Sequence, residues 1–387
     1  MRRCKTTTEI LHVASYYYPY ISGLTLHIKN ISEELAKQGY CVNLLTNLHS
    51  SKLLEHEIIN KVVVYRCKPW FRLSRGFITP KIIVEFLKLI STKKQTVFLH
   101  LPLPEAFLMA LIVKIFQQKC FLVYHANLNL PSWKLSSCLI ETIVNLNHFL
   151  SMTLADGIVA YSRDYANHVA LLSHFSSKIS IITPPVKIYP ATSHQVEDFR
   201  RKHHLENKIV LGFAGRFAEE KGGDILIEAL PKIVDKYPNI VVAFAGETNL
   251  IYEDFCIRKQ ALITKYQKHI KFLGLIKPEE MSQFYKNINI LVLPSRNECF
   301  GFVQIEAMLN GCPVVAFDIP GGRVPITKTN MGLLVKPYSR IGLADAIMKI
   351  LSNRQKYIKN PKIINAEFGL KQSLSGYLKL LTDDSSK

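Results

Sequence analysis

Two carboxylates, Glu298 and Glu306, stand with seven residues between them in the stretch PSRNECFGFVQIEAMLNGCPVVAFD. The apolar run before them, from Ile288 to Pro294, reads as a buried strand. A polar turn with Gly301 follows, then a helical pattern through Ile305, Ala307, Met308 and Leu309. After Gly311-Cys312-Pro313 a second apolar run begins. Strand, glycine turn, helix, strand is a βαβ unit, and such sheets bind ligands at the carboxyl ends of their strands. Glu298 falls in the turn and Glu306 on the first turns of the helix, so both face that edge. Backbone N–H groups around Gly301 to Val303 are aimed at the same place and suit an anion.

A second signal is IVLGFAGRFAEEKGGDILIEAL. Its buried strand ends at Gly215, Arg216 and Lys221 follow, and Gly222-Gly223 opens a helix. An arginine fork and a lysine point charge beside a helix N-terminus match a diphosphate. The competing reading is a pair of surface cations near Glu219 and Glu220. The pattern GxxxxGK[ST] is absent, which disfavours ATP hydrolysis.

In the N-terminal half, SYYYPYISGLTLHIKNISEELAKQGYCVNLLT joins a strand to a helix through Ser22-Gly23. Gly23 lets backbone approach a ligand closely. His27 lies within that helix, where histidine is more often structural. His125 is better placed, at the carboxyl end of the strand FLVYH, although a capped loop histidine has the same signature.

The elements that must position these residues alternate along the whole chain. Strands are expected at Ile10–Ser15, Val42–Thr46, Val62–Arg66, Val97–Leu101 and Phe121–His125, with helices between them and a long helix from Leu135 to Leu154. Pro184-Pro185 and the polar residues beyond read as a linker. The alternation then restarts at Ile209–Ala214, with a helix expected over Glu253–Tyr266 and a final one over Asn365–Leu380. Two α/β domains with parallel sheets follow. Their bounds are residues 1–188 and 189–364, and a terminal helix occupies 365–387.

Composition sets further limits. At 387 residues the chain is long enough for two full cores. The most apolar stretch, Phe107 to His125, is interrupted by Lys114, Gln117, Gln118 and Lys119, so it reads as a buried helix and strand and not as a membrane span. The N-terminus shows no signal-peptide pattern. None of the eight cysteines forms a CxxC pair, which reads as free thiols in a reducing compartment; Cys299 alone falls in the site turn. The net charge is +19, of which residues 1–190 carry +11. The densest basic stretch runs from Arg66 through Lys68, Arg72, Arg75, Lys81 and Lys88 to Lys93 and Lys94, with Trp70, Phe71 and Phe77 between. A solvated face, an anionic membrane surface and nucleic acid are the three readings. Exposed aromatics among cations favour the membrane, and no nucleic-acid motif accompanies the charge.

Taken together, Ser22-Gly23…His27, His125, GRFAEEKGGDILIEA, FLGLIKPEEMSQFYKNINILVLPS, the Glu-x7-Glu pair with EAMLNGCPVV, and IPGGRVPI followed by GLLVKP resemble the retaining nucleotide-sugar glycosyltransferases of family 4, which have the GT-B fold. They fall in the family's order over nearly the whole chain. The resemblance implies two Rossmann-like domains facing a central cleft, the first binding the acceptor and the second the nucleotide sugar, with the last helix crossing back to the first.

It also implies roles. Arg216 and Lys221 neutralise the donor diphosphate next to Gly215, Glu306 binds ribose, and Glu298 holds the sugar hydroxyls. Backbone at Cys299, Phe300, Gly301 and Phe302 cradles the distal phosphate, and Gly274 to Ile276 line the base pocket. Gly23 approaches the donor, and His125 faces the sugar and the acceptor. The catalytic set is therefore His125, Glu298, Arg216 and Lys221.

The implied reaction moves a hexose from a UDP- or GDP-linked donor to a lipid-linked or oligosaccharide acceptor in surface polysaccharide, lipopolysaccharide or glycolipid assembly. It uses no cofactor and no metal, and takes place on the cytoplasmic face of the membrane. Ser22 and Pro325 depart from the family, which has glycine and glutamate there. A degenerate nucleotide-sugar-binding protein and a non-transferring enzyme such as an epimerase are the alternatives.

Overall fold

A computed structural model describes residues 9–73, 76–127, 135–250 and 253–382. It divides into two compact units, Met1–Pro185 with Leu370–Lys387, and Val186–Gly369.

In the first unit, β1 (Glu9–Val13), β2 (Val42–Asn47), β3 (His56–Ile59), β4 (Val62–Cys67), β7 (Gln95–Leu101), β8 (Lys119–Tyr124), β9 (Gly157–Ala160) and β10 (Ile179–Ile181) form one sheet. A separate hairpin pairs β5 (Phe71–Leu73) with β6 (Gly76–Ile78). The sheet order is β10-β9-β8-β7-β1-β2-β4-β3. Its central strands are buried on both faces, as parallel strands covered by helices must be. An all-parallel sheet is corrected at one edge, where β3 runs antiparallel to β4. The two residues joining them, Asn60 and Lys61, have φ of 47° and 72°, the twist of a tight hairpin turn. Without glycine there, the sequence carries only a weak hairpin signal.

The second unit holds β11 (Ile209–Ala214), β12 (Ile240–Ala245), β13 (Ile270–Gly274), β14 (Ile290–Leu293), β15 (Val314–Phe317) and β16 (Gly332–Val335). Their order is β13-β12-β11-β14-β15-β16, and every pair is parallel. The winding reverses between β11 and β14, the arrangement of a dinucleotide-binding sheet. Leu211, Phe213, Val242, Phe244 and Val292 fill its core, and each such side chain contributes about 1.5–3 kcal/mol on burial.

Three expected elements differ. The polar stretch read as linker contains the helix Ser193–Lys202, whose capping box from Thr192 to Gln195 was visible in the sequence. The helix expected over Glu253–Tyr266 is two short ones, Phe255–Arg258 and Gln260–Lys265. The last helix breaks at Gly369 into Pro361–Phe368 and Leu370–Thr382. A Cβ on Gly369 would lie 2.3 Å from the Asn365 carbonyl oxygen, so this close turn needs glycine.

Among the described thiols Cys67, Cys120, Cys256, Cys299 and Cys312 are free. Cys41 is disulfide-bonded, which corrects the all-free reading. With no CxxC pair in the chain, its bridge has no local signature.

Glu105 caps the helix Ala106–Ile115 without a side-chain cap bond, and its Oε2 is buried with no hydrogen-bond partner. Burial pushes its carboxyl up to about 7. The folded chain therefore holds this proton more tightly than the unfolded one. The associated stability is present below about pH 4.5 and is lost as pH rises through about 7. Glu105→Gln should flatten that slope in thermal melts between pH 5 and 8 and add about 3 kcal/mol at the upper end. Parallel slopes in variant and wild type would refute the assignment.

Candidate active site

Both sequence signals meet where the second sheet reverses. Residues 215–222 leave β11 and residues 294–301 leave β14, its neighbour. The two loops are laced together. The Arg296 amide donates to the Glu220 carbonyl at 2.8 Å, and the Arg296 guanidinium donates to both oxygens of Asp224 at 3.1 and 2.9 Å. Lys259 Nζ lies 2.9 Å from the same carboxylate. Burial pushes Asp224 upward, but the hydrogen bonds from Arg296 and Lys259 outweigh it and hold the group below its usual value. Asp224 therefore stays ionised and ties the opening turn of helix Gly223–Val234 to the β14 loop.

A glycine makes this approach possible. Gly222 has φ of 71°, and a Cβ there would lie 1.9 Å from the Pro294 carbonyl oxygen. Gly301, at φ of 78°, caps helix Phe302–Leu309, and its Cβ would lie 2.6 Å from Gln304 Nε2.

Lys221 and Glu298, one from each loop, form an ion pair of 2.7 Å. Arg216 pairs with Glu220 at 2.8 Å. Burial alone would lower the Lys221 pKa; Glu298 and Glu220 more than compensate and raise it, so the ammonium stays charged at neutral pH. Glu306, on the first turns of Phe302–Leu309, accepts from the Tyr285 hydroxyl at 2.7 Å. Burial raises the Glu306 carboxyl, and the Tyr285 bond partly opposes this.

Cys299 is buried, and burial followed by the Glu298 charge pushes its thiol up, so it is protonated and unreactive. Phe300 is buried and packs against Phe302 and Phe368. Gly215 leaves β11 with its amide on the Ala245 carbonyl. Ile276, beyond the end of β13, is buried.

Sequence reasoning named the cations and carboxylates but missed the supports: Arg296, Asp224, Tyr285 and Gln304. Gln304 Nε2 donates to the Gly322 carbonyl at 2.7 Å. A Cβ on Gly321 would lie 2.3 Å from the Cys299 carbonyl oxygen, so the IPGG loop packs on the Glu298-Cys299 backbone. No local spacing links these partners. Pro325 sits in the first turn of helix Val324–Thr329, where a missing N–H is harmless.

Gly23, His27 and His125 belong to the other unit. Gly23 opens helix Gly23–Lys37 behind a capping box of Ser22 and Thr25. His125 is buried, and both of its ring nitrogens are engaged. Nε2 meets His100 Nδ1 at 2.8 Å, and Nδ1 meets the Tyr161 hydroxyl. The chain of contacts continues from His100 to His12 at 2.9 Å. On its other side it runs from Tyr161 to His27 at 3.1 Å and from His27 to Tyr377 at 2.8 Å. Burial lowers all four histidines, His12 and His125 to about 3, so they are neutral. Only the fold brings these rings together, since Tyr377 is 350 residues from His27.

The basic stretch is less of a surface than its spacing implied. Arg66 is buried, ion-paired with Glu57 and donating to the carbonyls of Leu54 and Tyr18. Phe77 is also buried, and Arg75 lies outside the described residues. Trp70 and Phe71 are exposed, as expected.

Comparison with known proteins agrees with this fold. Residues 195–365 match the family model for glycosyl transferases group 1, and residues 21–188 that for glycosyltransferase family 4. A D-inositol 3-phosphate glycosyltransferase from Corynebacterium urealyticum is 28% identical over 47% of this chain and 45% of its own. The chain thus matches about half the length of that relative. An uncharacterized glycosyltransferase of Methanocaldococcus jannaschii is 25% identical over 90% of this chain and 92% of its own. Anabaena HepE, solved with UDP and glucose, superposes with a TM-score of 0.78 at 18% identity, covering 97% of this chain and all of that one. The two Rossmann-like units are therefore those of the GT-B fold.

Proposed function

Because the chain belongs to the group 1 glycosyltransferases, with a family 4 N-terminal half, we propose that it moves a hexose from a UDP- or GDP-linked donor to a lipid-linked or glycan acceptor with retention of configuration. The observation that carries this reading is the Lys221–Glu298 pair beside Arg216 at the point where the sheet reverses. A diphosphate entering there competes with the carboxylates for both cations. Lys221 then supports the leaving diphosphate, and Glu298, released from its partner, accepts hydrogen bonds from the sugar hydroxyls. Glu306, presented by Tyr285, accepts from the ribose. The transition state is dissociative, and fixed positive charge at the leaving group stabilises it without a metal.

HepE was solved with UDP-glucose, which supports a nucleotide sugar as the donor class. The reaction fits surface polysaccharide or glycolipid assembly on the cytoplasmic side of a membrane. Among the described residues no helix is long and apolar enough to cross one.

Calorimetry with UDP and GDP tests the site. One nucleotide should bind at micromolar affinity, and Glu306→Ala should weaken it about tenfold, the loss of one charge-assisted contact. Unchanged affinity in the variant would remove the ribose role.

A further inference from the structure

Three neighbouring helices, Pro80–Thr92, Ala106–Ile115 and Leu135–Leu154, belong to the first unit and touch in sequence order. Each turns apolar residues outward at helical spacing. On Leu135–Leu154 these are Leu139, Ile143 and Leu146, exposed by 62, 58 and 57%. Ala106–Ile115 adds Leu108, Leu111 and Ile115, and Pro80–Thr92 adds Val84 and Leu87. Steps of three and four residues place each set on one helix face. The helix Leu135–Leu154 has Glu141 as its only charged residue, and that side chain is half-buried. A surface helix in water ordinarily carries charge on its outer face. An exposed apolar area spanning three helices marks an interaction site.

Charge selects the occupant. Exposed lysines stand around the face, Lys81 and Lys88 on the first helix, Lys94 after it and Lys114 on the second. Lys81 and Lys88 are ion-paired with Glu55 and Glu85, and residues 1–190 keep a net +11. A second copy would set these lysines against their equivalents on a chain of net charge +19, which disfavours self-association. We propose that this three-helix face docks on an anionic lipid bilayer, with Leu111, Ile143 and Leu146 entering the headgroup boundary and the lysines meeting acidic headgroups. The face overlaps the residue 66–94 stretch picked out by charge in helix Pro80–Thr92 and in Lys81, Lys88 and Lys94, and extends beyond it over two further helices. It rests on the lipid-linked-acceptor reading and deepens it.

Flotation of the full chain with phosphatidylcholine vesicles, with and without about 30% phosphatidylglycerol, tests it. Binding to the anionic vesicles should be at least tenfold tighter and should weaken as salt rises. The double variant Ile143→Gln/Leu146→Gln should lose at least tenfold of it while keeping the wild-type circular dichroism and calorimetric nucleotide affinity. Lys94→Glu/Lys114→Glu, which leaves the apolar residues in place, should lose the preference for anionic vesicles. Equal partitioning of wild type and both variants would overturn the proposal. So would a concentration-dependent dimer that the glutamine variant abolishes, since a second copy would then cover the face. Nucleotide turnover onto a soluble acceptor without vesicle binding would defeat the docking and spare the transferase reading; vesicle binding without turnover would do the reverse.

Discussion

Lys221→Ala should lower kcat/KM for sugar transfer by about 10²–10³-fold, the usual cost of removing one fixed charge from a developing anion. The side chain is largely buried and held at 2.7 Å from Glu298, so it needs no reorganisation when charge builds on the leaving diphosphate. Binding of free UDP or GDP should fall much less, because in the proposed site Arg216 and the helix N-termini would still meet the ground-state phosphates. The variant also leaves Glu298, only 10% accessible at its side chain, without its partner. Some loss of thermal stability is therefore expected, and Glu298→Gln in the same background should recover it without recovering transfer. Transfer within threefold of wild type in steady-state assays would sink the leaving-group role.

Gly222→Ala should destabilise the chain by at least 3 kcal/mol, from two separable causes. Its φ of 71° is left-handed, which costs an alanine about 1–2 kcal/mol. The added Cβ would also lie 1.9 Å from the Pro294 carbonyl oxygen. Backbone must move, and it is the backbone that leads to Glu298. Gly311→Ala is the matched control: φ is 76°, yet nothing lies within 4 Å of its Cβ, so only the strain should appear. For a unit of this size the difference corresponds to several degrees in Tm. Equal losses in both variants would show that contact with Pro294 is not what requires glycine at 222. Activity should follow the same order, since displacing Pro294 moves Glu298 away from Lys221.

The Gly222 case shows how much of the site was legible. Two glycines at the start of a helix announced a tight turn, and the cations beside them announced an anion. The strand at Ile209–Ala214 and the Glu-x7-Glu turn were each readable from local pattern. That the two loops bond through Arg296 and Asp224 was not, because 72 residues separate them. The same holds for Tyr285 on Glu306. His125 was legible as a strand-end histidine, whereas its place in a buried, neutral row of rings was not. The capping box at Thr192 is legible, but charge-rich sequence around a single buried Phe199 reads as loop.

The sequence by itself determined the alternation of elements, the glycines and prolines that end them, and the residue types gathered at the strand ends. These depend on hydrogen bonding and side-chain periodicity within a few neighbours. Tertiary structure alone decided which charge meets which. It buried Arg66 against Glu57, closed Lys221 on Glu298, and left Leu139, Ile143 and Leu146 facing outward. Pairing and exposure arise from contacts between segments far apart in the chain, and no local spacing encodes them.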